Sequence, residues 1–382
     1  MKKQIKYQIP LAGEDSEVSS VTYLGNGRVG IVYGEFHHEK LSVINIADGS
    51  ILWEKEIGKA VGGGTCPIYD ENAVYVPFAA NRSSFAISAH NPQTGEELWQ
   101  AKVDASSETC FTVPLAQTAE HIFYTNNTTM KFVVLDKKTG KAICTGKLAH
   151  QHESYKENIH AWGNNFVTIG RKRNSDKFFL DTYTPEGLSN NFSEFQPKGE
   201  VIQAHCVVGD HLFFGTHIGT FYQYDLNIGK IISKHSAGEA GDPKVLSYCY
   251  SNMVLLGGHL VCLAEHSYPD TRPSVYHLCK FDLKTNTFSS EPIELGDVEG
   301  FLQILSDGTG VYLSKNGVVK YNAMCVEKPA EIVLDGWAEM MTLEKLGMHL
   351  CMHEYGTYWI VAEEKLLSIP ETEGILFCWE IG

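Results

Sequence analysis

Along most of this chain apolar and polar residues alternate one by one in short runs, and each run stops at a cluster of turn-forming residues. Runs such as HIFYTNN, KFVVLD and GVYLSKN place successive side chains on opposite sides of the backbone, which is the period of a strand rather than a helix. Abundant Val, Ile, Thr, Tyr and Phe favour the same geometry. The pattern therefore predicts an all-β protein.

The runs are organised in a repeat. Its mark is a strand, a turn ending in Gly, and an apolar run with Trp four residues after the Gly. It reads LSVINIADGSILWEKEI around Gly49 and SAHNPQTGEELWQAKV around Gly95, with Trp53 and Trp99 at the same offset. Further copies surround Gly140 (Cys144 in place of Trp), Gly187, Gly229, Asn286, the worn Ala323, and Gly374. Successive marks lie 46, 45, 47, 42, 57, 37 and 51 residues apart, a spacing that suits a propeller blade. Four residues before the mark stand Asn45, Asn91, Asp136, Asp225 and Asp282, whose side chains can accept turn N–H groups while Gly supplies positive φ. The two tryptophans are expected on outer strands, wedged between neighbouring blades, with Gly49, Gly95, Gly140 and Gly229 as the docking turns.

Three further strands fit between marks, for example TCPIY, AVYVPFA and FAISAH before EELWQAKV. The expectation is an eight-bladed β-propeller of four-stranded antiparallel blades, spanning 1–382 as a single domain with its terminal strands meeting. Seven blades is the alternative, since the marks at Gly187 and Ala323 are the weakest.

Composition narrows the partners. With 31 basic and 46 acidic residues the chain carries a charge of −15, which repels phosphate backbones and anionic lipid, so neither nucleic acid nor membrane is expected. A basic protein partner is compatible with it. The start MKKQIKYQIP has no apolar stretch behind its charges, and no run of 18 apolar residues follows. Ten cysteines lie scattered without CxxC spacing, as buried thiols in a reducing compartment do. The expected location is the cytoplasm.

Candidate chemistry is sparse. Cys66, Cys110, Cys206 and Cys249 recur at inner-strand positions 44, 96 and 43 residues apart. They form either a thiolate ring near the axis or small residues that fit where strands crowd; the second reading is preferred. Of sixteen histidines, His349 and His353 would sit about 13 Å apart on one strand face, too far for one zinc. No metal is expected. His160 and His205 stand at blade starts, where either could serve as a general base near neutral pH; with Tyr248 and Gln303 they could line an axial pocket. Gly62, Gly63 and Gly64 precede a strand, not a helix, and read as a linker.

The units GTFYQYDLNIGKIIS, VVLDKKTGK and NPQTGEELW resemble the repeat of quinoprotein (PQQ-like) propellers, across six of the eight units. That resemblance implies the propeller fold. The family holds calcium- and quinone-dependent dehydrogenases, an outer-membrane assembly lipoprotein and cytoplasmic propellers, so it does not carry one activity. The adjacent cysteines of the dehydrogenases have no counterpart here, and Glu108, Glu153, Glu157 and Asp242 lack the grouping calcium needs. The resemblance is thus to a non-catalytic relative without cofactor. Its expected role is a bacterial cytoplasmic scaffold binding a protein on a rigid face, in a narrower version an immunity-type protein that neutralises a toxic one. The alternative is a lyase or hydrolase acting on a sugar or small metabolite in the axial channel.

Overall fold

The computed structural model describes residues 2–11, 17–35, 38–58, 67–81, 84–104, 115–126, 129–150, 159–171, 178–193, 195, 197–236, 247–268, 273–296, 298, 300–305, 307–325, 329–334, 357–370 and 375–381. All regular structure among them is strand. The strands make eight antiparallel sheets, numbered I–VIII in chain order: 17–58, 68–104, 115–147, 159–193, 202–236, 247–293, 300–334 and 357–380. The fold is all-β, an eight-bladed β-propeller with four-stranded blades, and eight rather than seven is the number of sheets.

Within each blade the strands lie in chain order and pair antiparallel, apart from the N-terminal strand that completes sheet VIII. Sheet I runs Glu17–Tyr23, Arg28–Glu35, His38–Asn45 and Ile51–Gly58. Its second and third strands, like Ser84–His90 of sheet II and His121–Asn126 of sheet III, are buried on both faces. Outer strands such as Ala142–Lys147 alternate exposed with half-buried residues. Such burial follows when sheets stack face to face and only the last strand meets water.

The chain divides into two compact units. The larger comprises Lys2–Gly170, Asp181–Asn191 and Leu334–Gly382. In it Leu367, Leu376 and Cys378 of sheet VIII pack on Val29, Ile31 and Ile44 of sheet I. Val43, Trp53 and Ile57 pack on Val74 and Val76, and Ile87, Ala89 and Val103 on Ile122, Tyr124 and Leu135. Phe123 and Phe166 stack with centroids 4.9 Å apart between sheets III and IV. Each fully buried Val, Leu, Ile or Phe among these contributes roughly 1.5–3 kcal/mol. The N-terminal strand Ile5–Pro10 is the outermost strand of sheet VIII, pairing with Ile375–Glu380, so the beginning and end of the chain share one sheet. This covers an edge that would otherwise be open.

The smaller unit contains Arg171–Leu180 and Phe192–Val333. Phe213 and Phe221 of sheet V pack with Cys262 and Phe281 of sheet VI. Val261 and Leu278 of sheet VI meet Tyr312 and Val319 of sheet VII.

Candidate functional site

The turns before the outer strands build one recurring device. At each of Asn45, Asn91, Asp136, Asp225 and Asp282 the side-chain Oδ1 accepts backbone N–H groups two or three residues on. Gly49, Gly95, Gly140 and Gly229 follow with φ between 66° and 76°, and Asn286 takes φ 55° in the same place. The glycine N–H returns to the carbonyl of the Asn or Asp in four of these turns.

The turns of sheets I, II and III, and the turn before Gly187 in sheet IV, each receive a side chain from the preceding blade. Trp53 Nε1 donates to Pro92 O at 3.1 Å, and Trp99 Nε1 to Lys137 O at 2.8 Å. Tyr7, on the N-terminal strand, donates its hydroxyl to Ile46 O at 2.7 Å and takes the same place between sheets VIII and I. Cys144 Sγ donates to Glu186 O between sheets III and IV. The rings lie flat on the glycines: a Cβ on Gly95 would come within 2.7 Å of Trp53, and one on Gly140 within 2.5 Å of Trp99.

One position before this latch, the outer strand carries a bulge. Leu52, Leu98, Ile143 and Ile232 are the extra residues, each skipped in the pairing with its neighbouring strand. A bulge re-aims its side chain, and these four are 43–50% exposed. Lys6 is the extra residue at the same place on the N-terminal strand.

Between sheets II and III the same turns enclose an open groove of about 650 Å³. Ala73, Tyr75, Leu98 and Trp99 line it from sheet II, and Glu120, Asp136, Lys137 and Lys138 from sheet III. Lys137 is nearly buried; it bridges to Asp70, donates to Thr118 O at 3.0 Å and stands 5.4 Å over the Tyr75 ring. Tyr75 donates its hydroxyl to Asp70 at 3.2 Å. Burial alone would raise the Asp70 pKa, but the Lys137 bond and the N–H groups of Asn72 and Ala73 outweigh it and hold the carboxyl below its usual range. Asp136 is lowered chiefly by the Thr139 hydroxyl it accepts. Both are anions at neutral pH.

The expected axial residues lie on first strands. His160 is on Ile159–Trp162, His205 on Ile202–Val208, Tyr248 on Ser247–Tyr250 and Gln303 on Gly300–Ile304. His160 lies in the larger unit and the other three in the smaller. Burial lowers the His160 pKa to about 4, a value that leaves it a weak base. Cys206 faces the core, 3.9 Å from Met253 Sδ, and burial pushes its thiol up to about 12; such a thiol packs rather than reacts. Cys66, Cys110, Gly62–Gly64, Glu108, Glu153, Glu157, Asp242, His349, His353 and Gly374 lie outside the described residues. Among the described residues no three His, Cys, Asp or Glu side chains come together as metal ligands.

One pair was missed by sequence reasoning. His150 Nδ1 lies 3.0 and 3.1 Å from the two oxygens of Asp181, a carboxylate only 1% exposed. Burial raises the Asp181 pKa and His150 opposes that rise. The partners are 31 residues apart, so no spacing announces them. The Leu52, Leu98, Ile143 and Ile232 bulges did leave a trace: two adjacent apolar residues interrupt the alternation in ILW, ELW, AIC and IIS.

The fold has known counterparts. The chain is similar over 99% of its length to the crystal structure of BamB from Moraxella catarrhalis, covering 99% of that chain at a TM-score of 0.54 and 13% identity. It is similar over 97% of its length to the computationally designed Ika8 protein, covering 98% of that chain at a TM-score of 0.56 and 12% identity. No curated protein matches the sequence. A family profile does, over residues 14–235, more than half of the chain. The chain belongs to the PQQ-like repeat β-propellers of that family, which is described as outer membrane protein assembly factor BamB.

Proposed function

We propose that this chain is a non-catalytic propeller scaffold that binds a protein partner in a bacterial cytoplasm, with 1–382 acting as one domain. The family carries this reading: its description is that of an assembly factor, and propellers hold recognition loops on a rigid frame. The charge of −15 favours a basic partner. The scattered cysteines, without CxxC spacing, favour a reducing compartment. The narrower form is an immunity-type protein, an acidic surface neutralising a toxic one. The test is capture of partners by the tagged chain from a lysate of its native host, read by mass spectrometry. A near-stoichiometric basic protein supports the proposal; recovery of no protein partner counts against it.

A second reading, a lyase or hydrolase on a sugar or small metabolite, is favoured by the His150–Asp181 pair. A carboxylate that fixes one imidazole nitrogen leaves the other oriented as a base. Turnover abolished by His150→Gln with the fold intact would support it.

A further inference from the structure

The turn-side place between adjacent blades is filled differently from one cleft to the next. In sheet I the residue that opens the second strand is Arg28, its N–H and C=O tied into the turn by Leu24 and Gly25. Arg28 is 6% exposed, and its guanidinium donates from Nη1 to Pro92 O at 3.1 Å, the carbonyl that also receives Trp53. In sheet II the residue in the same turn position is Ala73, whose carbonyl accepts from Asp70 N–H as that of Arg28 accepts from Leu24. Ala73 lines the groove toward sheet III. Lys137 O is there the counterpart of Pro92 O, bonded by Trp99. The groove thus borders the position that an arginine holds one cleft earlier; here Ala73 stands at that position, and the cation that crosses between the sheets is Lys137, paired with Asp70.

We propose that the cleft between sheets II and III binds an arginine side chain from an exposed basic segment of the partner protein. This rests on the scaffold reading above and names the place and chemistry of contact. Arg28 shows what the position accepts: a buried guanidinium bonded to the turn carbonyl. A carbonyl oxygen has two lone pairs, and Lys137 O receives one N–H from Trp99 in the same way as Pro92 O. The lining charges favour a cation. Lys137 is matched by Asp70, which leaves Glu120 and Asp136 against Lys138 alone. Arginine is preferred over lysine because its planar fork can meet a carbonyl and a carboxylate together. Leu98, turned outward by the bulge and 50% exposed, offers an apolar wall for a neighbouring aliphatic residue of the same segment.

The experiment is fluorescence anisotropy with a labelled eight-residue peptide alternating leucine and arginine, beside versions with lysine or glutamate in place of arginine. The arginine peptide is expected to bind at least tenfold tighter than the lysine one, with none for glutamate. Ala73→Arg, which refills the groove with the chain's own guanidinium, is expected to weaken binding at least tenfold. Glu120→Lys, on an exposed residue, repeats the test should Ala73→Arg fail to fold. Equal binding of the glutamate peptide, no binding of the arginine peptide, or unchanged affinity in both variants overturns the proposal. Lysate capture separates it from the broader reading. A partner retained equally by wild type and Ala73→Arg leaves the scaffold standing and removes the cleft. Peptide binding without any captured protein does the reverse.

Discussion

Gly140→Ala tests whether blades are locked by rings lying on glycine turns. Two costs add at this position. Its φ of 69° is left-handed, which an L side chain adopts at about 1–2 kcal/mol. The new methyl would also stand 2.5 and 2.7 Å from two carbons of Trp99, closer than any real contact, so the indole must move. Displacement breaks the bond from Nε1 to Lys137 O, about 0.5–1.5 kcal/mol, and returns part of the ring to water. The total is about 3–5 kcal/mol. Gly163→Ala is the internal reference: its φ is 56° and nothing lies within 4 Å of its added Cβ, so only the backbone strain of about 1–2 kcal/mol remains. Urea denaturation followed by far-UV circular dichroism should separate the two variants by about 2–3 kcal/mol. In a Trp99→Ala background the Gly140→Ala penalty should shrink to the strain alone. Equal midpoints for the two glycine variants, or an undiminished penalty without Trp99, would refute the latch.

The same structure predicts three further outcomes. Asp70→Asn strands the nearly buried Lys137 ammonium and should cost about 3 kcal/mol in the same assay, while adding Lys137→Met should recover most of it. Tyr7→Phe removes the hydroxyl bonded to Ile46 O and should cost about 1 kcal/mol, read as a lower urea midpoint. His160 and His266 have pKa values lowered to about 4, His160 by burial and His266 by burial and then by His277. The unfolded chain therefore binds their protons first, so stability is whole above about pH 6.5 and falls as pH drops toward 4. His266→Gln should flatten that slope in urea titrations at pH 7, 5.5 and 4.5.

The blades were legible because their turns obey local rules. An Asn or Asp that caps the turn and a residue at positive φ four positions later are both dictated within one short segment, and Asn286 could replace Gly because it tolerates that backbone. The role of Tyr7 was not legible. It lies in no Gly–Trp unit, and only the pairing of Ile5–Pro10 with Ile375–Glu380 brings it to the place Trp53 and Trp99 hold elsewhere. The His150–Asp181 pair was hidden for the same reason, since it depends on contacts between segments rather than within one. Cys206 packs beside Met253 in the core, in keeping with the preferred reading of a small residue that fits among crowded strands.

A repeated fold gives its blades the same backbone, so differences between blades must come from single positions within it. The position occupied by Arg28, Ala73 and His121 shows this most plainly. Each closes the first turn of its sheet by the same backbone bond, donated by Leu24, Asp70 and Thr118 in turn. The side chains do opposite things: Arg28 fills its cleft, His121 is buried at 8% exposure, and Ala73 leaves a groove with carboxylates at its mouth. The latch is the same in both clefts, a tryptophan bonded to the carbonyl of the neighbouring turn. Removing a large side chain from a stacked interface ordinarily costs stability. The space beside Ala73 can be filled in the bound state, and an arginine supplied from outside is an occupant for which Arg28 gives the precedent within the chain.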